Sequence, residues 1–233
     1  MKKKLALKAA YMGIILLTLT LTSLGSRAVA VFSQSLPPER ERCFILDPGH
    51  GGIDGGATSC TGKLESGFNL EISLRLRDLL HFMGYRTKMT RTEDVSIYTG
   101  GKTIAQKKLS DLKERVRICN ETDGAILLSI HQNMFSDSKY YGPQVFFADN
   151  EESKALAGYL QKGLDPTGKR GTKKADSIYL MEHITCPGVL IECGFLSNPQ
   201  EEAKLRTAEY QKELCCRIAD ALIEYVCGNS VDR

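Results

Sequence analysis

The stretch that most constrains this chain is Ile45-Leu46-Asp47-Pro48-Gly49-His50-Gly51-Gly52-Ile53-Asp54-Gly55-Gly56, an apolar run that stops abruptly in a glycine-rich loop carrying a histidine. Residues 43–46 read as a buried strand. Pro48 and the glycines end it, because proline donates nothing to a sheet ladder and glycine reaches backbone angles closed to other residues. A histidine just past the carboxyl end of a strand stands where open α/β sheets bind ligands. A glycine-rich loop alone suits a phosphate cradle or a tight turn equally well. The weight placed on His50 therefore depends on what the rest of the chain supplies.

Beyond this loop, helical and strand patterns alternate. Phe68, Ile72, Leu76, Leu79 and Met83 recur at helical spacing and predict a helix over 65–83, stopped by Gly84. Strands are predicted at 85–90, 125–130, 144–148, 177–181 and 188–191. Helices are predicted at 109–121 and 152–162, from Asn198-Pro199, and along a last amphipathic segment with Leu214, Ile218, Leu222 and Tyr225 on one face. Residues 96–108 and 165–175 read as irregular. The continuous apolar runs suit strands covered on both faces. The expectation is an α/β fold: a single domain with a mostly parallel twisted sheet and helices on both faces.

The chain has 233 residues and a net charge of +3. Residues 1–30 carry Lys2, Lys3, Lys4, Lys8 and Arg27, then an apolar stretch ending in Ala28-Val29-Ala30. That pattern fits a signal peptide, with an uncleaved membrane anchor as the rival, and either one puts the rest of the chain outside the cytoplasmic membrane. Subtracting those five basic residues from +3 leaves −2, so the basicity belongs to the leader and nucleic-acid binding is not expected. Residues 31–42, with Pro37-Pro38, read as a linker, 43–227 as the catalytic domain and 228–233 as a tail. The eight cysteines contain no Cys-x-x-Cys pair and mostly sit in apolar stretches, so free thiols are expected rather than a disulfide framework or a cysteine metal site.

Of the four histidines, His50 and His131 follow predicted strands. Glu192 follows a third strand, and Glu65 opens the first helix directly after the His50 loop. A parallel sheet brings these ends to one edge. Two histidines and a carboxylate make the ligand set of a hydrolytic zinc site with a position left open for water, and a further carboxylate can take a proton from that water. Singly, each residue has a plainer explanation, such as a strand-end cap or a helix-dipole partner. His81 and His183 lack the placement. Asn69, one turn after Glu65, and Asn133 are candidates for orienting a ligand and for bonding a substrate carbonyl. Arg115 is equally well read as a structural ion pair.

Four motifs in order resemble the zinc-dependent N-acetylmuramoyl-L-alanine amidases. They are Ile45 to Gly52, Glu65 with Asn69-Leu70, Ser129-Ile130-His131-Gln132-Asn133, and Val189-Leu190-Ile191-Glu192-Cys193-Gly194-Phe195-Leu196-Ser197-Asn198, with Thr90-Arg91 between. The resemblance implies His50, Glu65 and His131 as zinc ligands and Glu192 as catalytic base. It implies peptidoglycan as substrate, cleaved between muramic acid and the L-alanine of the stem. Within the family the chain is most similar to sporulation amidases of the CwlD type, which act in building spore cortex and work ahead of a separate muramic acid deacetylase. No long insertion between His131 and Glu192 suggests a blocking helix. With no wall-binding module recognised, an accessory protein outside the membrane is expected to assist. The loop around Cys60 matches less well. Rival readings are a different zinc hydrolase with the same ligands, a vegetative lytic or division amidase, and a non-catalytic wall-binding protein.

Overall fold

The computed structural model describes residue 12 and residues 41–228. The expected leader, most of the linker and residues 229–233 lie outside the described residues. Among the described residues no helix is long and apolar enough to cross a membrane.

One sheet is formed by β1 (Cys43–Pro48), β2 (Arg86–Met89), β3 (Ala125–Asn133), β4 (Gln144–Phe147), β5 (Lys173–Lys174) and β6 (Gly188–Phe195), in the order β2-β1-β3-β6-β4-β5. The first four in that order run parallel. β4 is antiparallel to β6, and β5 is parallel to β4. The helices are α1 (Glu65–Phe82), α2 (Ile104–Asn120), α3 (Glu151–Leu164), α4 (Tyr179–His183), α5 (Pro199–Leu205) and α6 (Ala208–Gly228).

Successive strand residues feed two separate apolar layers, as the two-residue period of a strand requires. Phe44, Leu46, Ile126, Leu128 and Ile130 join the buried faces of α1, α3 and α6. Cys43, Ile45, Ala125 and Leu127 join Cys119 of α2 with Leu180 and Met181 of α4. This explains why the central strands read as unbroken apolar runs, and it gives the expected α/β fold with helices on both faces.

The structure departs from the sequence-based elements at several places. Residues 177–181, expected as a strand, lie largely in α4, because Leu180 and Met181 enter the same apolar layer and a strand would send them to opposite faces. Lys173–Lys174 forms a short strand inside an expected loop. Helix α2 begins five residues before the expected start at 109, at a capping box in which Thr103 and Gln106 satisfy each other's backbone N–H groups. All eight cysteines are free thiols.

Candidate metal and catalytic centre

The loop after β1 is fixed by two buried arginines. Arg115 donates to the carbonyl oxygens of Pro48 (2.9 Å) and His50 (2.8 Å) and pairs with Asp47 and Asp111. Arg91 donates to the carbonyls of Pro48, Gly49 and Ser66 at 2.9–3.0 Å. Asp47 also accepts from Thr90 Oγ1 (2.6 Å) and Ser129 Oγ (2.7 Å). Burial alone would raise the pKa of Asp47. The Arg115 guanidinium first, then the two hydroxyls, outweigh burial and hold the carboxyl below the usual range. The clamp keeps His50 at φ 61°, a region uncommon for a residue with a Cβ.

Glu65 sits at the first position of α1, buried between His50 and His131. His50 Nε2 lies 3.2 Å from Glu65 Oε2, and His131 Nδ1 lies 3.0 Å from Oε1. The carboxylate also accepts from the backbone N–H of Ala57 (3.0 Å) and Gln132 (3.2 Å) and from Asn69 Nδ2 (3.1 Å). Asn69 donates as well to the carbonyl of Gly49 (3.2 Å), which links the helix to the histidine loop. Asp54 Oδ2 lies 3.0 Å from His50 Nδ1, fixing that ring with Nε2 toward Glu65, and Lys108 Nζ pairs with Asp54 at 2.8 Å. The two imidazoles meet edge-on with centroids 5.0 Å apart. Glycines make room: a Cβ on Gly56 would fall 2.6 Å from Glu65 Oε2, and one on Gly49 would fall 2.2 Å from His131 Nε2.

Donor atoms of His50, Glu65 and His131 all lie within 4.8 Å of one another. Ligands about 2.0–2.1 Å from a tetrahedral zinc are separated by about 3.3 Å. The observed separations of 3.0 and 3.2 Å are of that size, so the donor set fits such an ion. The same proximity sets the charges of the three groups. Burial pushes His50 down, but the hydrogen bond and charge of Glu65, then those of Asp54, outweigh it and lift His50 to about 9. Burial pushes Glu65 up, and the hydrogen bonds and charges of His131 and His50 drive it far below the usual range instead. The site is a buried carboxylate held between two imidazoles.

Glu192 lies in β6 directly beside His131 in the ladder. Both strands run past these residues rather than ending at them as expected, with a register irregularity between His131 and Asn133 that re-aims the edge. Oε2 of Glu192 is buried and has no hydrogen-bond partner among the described residues. Burial lifts this carboxyl to about 7, with the charge of His131 opposing and that of Glu65 adding.

The remaining sequence candidates are less central. Asn133 ends β3, and its carbonyl accepts from the Leu196 N–H (2.8 Å). Cys60 is an exposed thiol. His81 bonds Thr87 Oγ1, and His183 bonds the carbonyl of Tyr179, both away from the centre. Asp54 and Asp47 were within the opening motif but carried no role from spacing. Their partners Lys108, Arg115, Thr90 and Ser129 lie far along the chain.

Fold and site together define a class: α/β hydrolytic enzymes with a His–Glu–His group suited to a metal and a carboxylate beside it. The family model described as N-acetylmuramoyl-L-alanine amidase (Amidase_3) matches residues 44–224, and the chain belongs to that family. The germination-specific N-acetylmuramoyl-L-alanine amidase of Bacillus subtilis is 37% identical over 81% of this chain and 81% of its own length. The CwlD amidase from Clostridioides difficile, solved in complex with the GerS lipoprotein, superposes with a TM-score of 0.77 at 38% identity, covering 80% of this chain and 99% of that one. The catalytic domain of CwlV from Bacillus (Paenibacillus) polymyxa gives 0.68 at 29% identity, covering 80% of this chain and 98% of that one. The chain is an N-acetylmuramoyl-L-alanine amidase acting on peptidoglycan.

Proposed function

We propose that this amidase strips stem peptides from peptidoglycan during spore cortex formation, with His50, Glu65 and His131 holding a zinc ion and Glu192 as the catalytic base. The observation that carries the site assignment is the Glu65 carboxylate flanked at 3.0 and 3.2 Å by two imidazole nitrogens, with Glu192 alongside. The zinc ion supplies polarisation of the scissile carbonyl and acidification of water. Glu192 takes the proton of the attacking water and passes it to the departing amine of L-alanine. Its unpartnered oxygen and raised pKa suit a group that must both accept and return a proton near neutrality. Asp54 and Asn69 hold His50 and Glu65 in place, and Asn133, at the end of β3, is the proposed partner of a substrate carbonyl.

The cortex role is supported by the names of the Bacillus and Clostridioides relatives. In that role the chain acts outside the cytoplasmic membrane, and its product is the substrate of a separate muramic acid deacetylase. The lipoprotein bound to the Clostridioides amidase supports an extracytoplasmic accessory protein for this chain also. The test is mass spectrometry of fragments released from purified peptidoglycan by the zinc-loaded protein. Free stem peptides with an N-terminal L-alanine, absent with Glu192→Gln, are expected. Cleavage elsewhere in the stem, or loss of acetyl groups alone, would overturn the reading.

A further inference from the structure

The helix that carries Glu65 starts without a cap of its own. Leu64 stands at the capping position of α1, where Ser, Thr, Asp or Asn would satisfy one of the first free N–H groups, and it makes no side-chain cap bond. The preceding loop takes that part. The Glu65 N–H donates to the carbonyl of Ala57 (2.9 Å), and the Ser66 N–H to the carbonyl of Gly55 (3.1 Å). The Ala57 N–H in turn donates to Glu65 Oε2 at 3.0 Å. The course of residues 55–64 therefore sets where the carboxylate stands between the two imidazoles.

The tip of that loop is held from α5. Ser59 closes a turn within the loop: its N–H donates to the Lys63 carbonyl (2.7 Å), and its hydroxyl accepts from the N–H of Lys63 (3.0 Å) and of Thr61 (3.3 Å). Thr61 Oγ1 and Ser59 Oγ both donate to Glu202 Oε1, at 2.5 and 3.3 Å. The other oxygen of Glu202 lies 3.9 Å from the guanidinium of Arg206, one turn on. Glu202 is only 1% exposed. A buried carboxylate is a costly way to fill space. Here it provides two directed bonds to a single loop. The Cys60 N–H adds a third tie, to the Leu196 carbonyl just past β6 (3.0 Å). Glu201, next to Glu202 in the same turn, serves a different loop: it accepts from the Gly142 N–H at 2.7 Å.

We propose that Glu202 is a positioning residue for Glu65. Through Ser59 and Thr61 it holds the loop whose Gly55 and Ala57 fix the start of α1, and with it the spacing of the His–Glu–His group. Glu202 acts through these residues, not on the ion or the substrate. The inference rests on the metal reading of that group and extends it to a residue on a separate element, ten positions beyond Glu192 in the chain.

The experiment measures zinc affinity by competition with a chelator, on the full-length protein and its E202A, E202Q, T61V, E202A/T61V and E201A variants. E202A should weaken zinc by about tenfold, the size expected when a group supporting a metal ligand is lost. E202Q should restore most of the affinity, because its amide oxygen still accepts from both hydroxyls. T61V should also weaken zinc, and adding it to E202A should cost little more, as for two residues that share one contact. E201A should bind zinc as the wild type does, which separates the loop before Glu65 from general damage to α5. Wild-type affinity in E202A, or equal losses in E202A and E201A, would overturn the assignment and leave the metal reading intact. Should E202A fail to fold, T61V decides, since it alters an exposed side chain, and unchanged zinc affinity there would overturn the assignment equally. A wild-type protein that binds no zinc would overturn the metal reading and this inference with it.

Discussion

Glu192 and His131 are direct partners in the parallel ladder between β6 and β3, which places their side chains on the same face of the sheet. In the proposed roles, with His131 as ligand and Glu192 as base, the two have separable duties. Glu192→Gln preserves shape while abolishing proton transfer. The expected result is zinc content equal to wild type with kcat lower by about 100- to 10,000-fold. Parallel loss of zinc and activity would make Glu192 a ligand and require the roles to be reassigned.

His131→Ala addresses the ligand set itself. The remaining pair, His50 and Glu65, cannot complete the coordination a stable site needs. Zinc measured after dialysis should fall from one ion per chain to near zero. Stoichiometric zinc in the variant would exclude His131 as a ligand.

The four principal candidates were legible because each follows or opens an element whose apolar pattern is strong. The arrangement around them was not. Asp47 meets Arg115 sixty-eight residues away and Ser129 eighty-two residues away, and local spacing carries no record of such contacts. Residues 177–181 read as a strand because Ser-Ile-Tyr-Leu-Met has no helical repeat long enough to show. The identity of α4 comes from the layer into which Leu180 and Met181 pack. The start of α2 was missed because its first turn is polar and exposed, although its capping box was present in the sequence.

The buried Asp47–Arg115 pair makes a pH prediction. The folded-state pKa of Asp47 is depressed. Its contribution to stability is therefore complete above the ordinary carboxyl value of about 3.9 and is lost as pH falls through the lower folded value. Asp47→Asn leaves Arg115 buried without this partner and should cost about 3–5 kcal/mol at pH 7. Urea unfolding at a series of pH values should show the gap between wild type and variant narrowing below about pH 4. A gap that stays constant down to pH 3 would contradict the assignment.

Gly56 and Gly62 separate backbone strain from steric intrusion. Both have positive φ, 68° and 84°, but a Cβ on Gly56 strikes Glu65 and His50, whereas one on Gly62 meets nothing within 4 Å. Gly56→Ala should weaken zinc binding by about 10- to 100-fold, the size expected when ligand positioning is disturbed. Gly62→Ala should lose some stability and keep zinc affinity. Competition with a chelator of known affinity distinguishes them, and equal effects from both would remove the steric argument.

The biological prediction follows from the order of chemistry. Muramic-δ-lactam closes between the amine of muramic acid and its lactyl carboxyl. That carboxyl is held in the amide to L-alanine until an amidase frees it, and the amine is held in its acetamide until a deacetylase acts. A strain lacking this chain should grow and divide nearly normally and form spores whose cortex contains no lactam. A wild-type copy should restore the lactam, and a Glu192→Gln copy should not, because that copy folds but transfers no proton. Muramidase digestion of cortex followed by chromatographic separation of the fragments reads the outcome directly. Normal lactam in the deletion strain, together with daughter cells that fail to separate, would move the protein to the division amidases. The His–Glu–His site and the role of Glu192 would stand, since both rest on the geometry of the sheet edge rather than on the wall layer the enzyme meets.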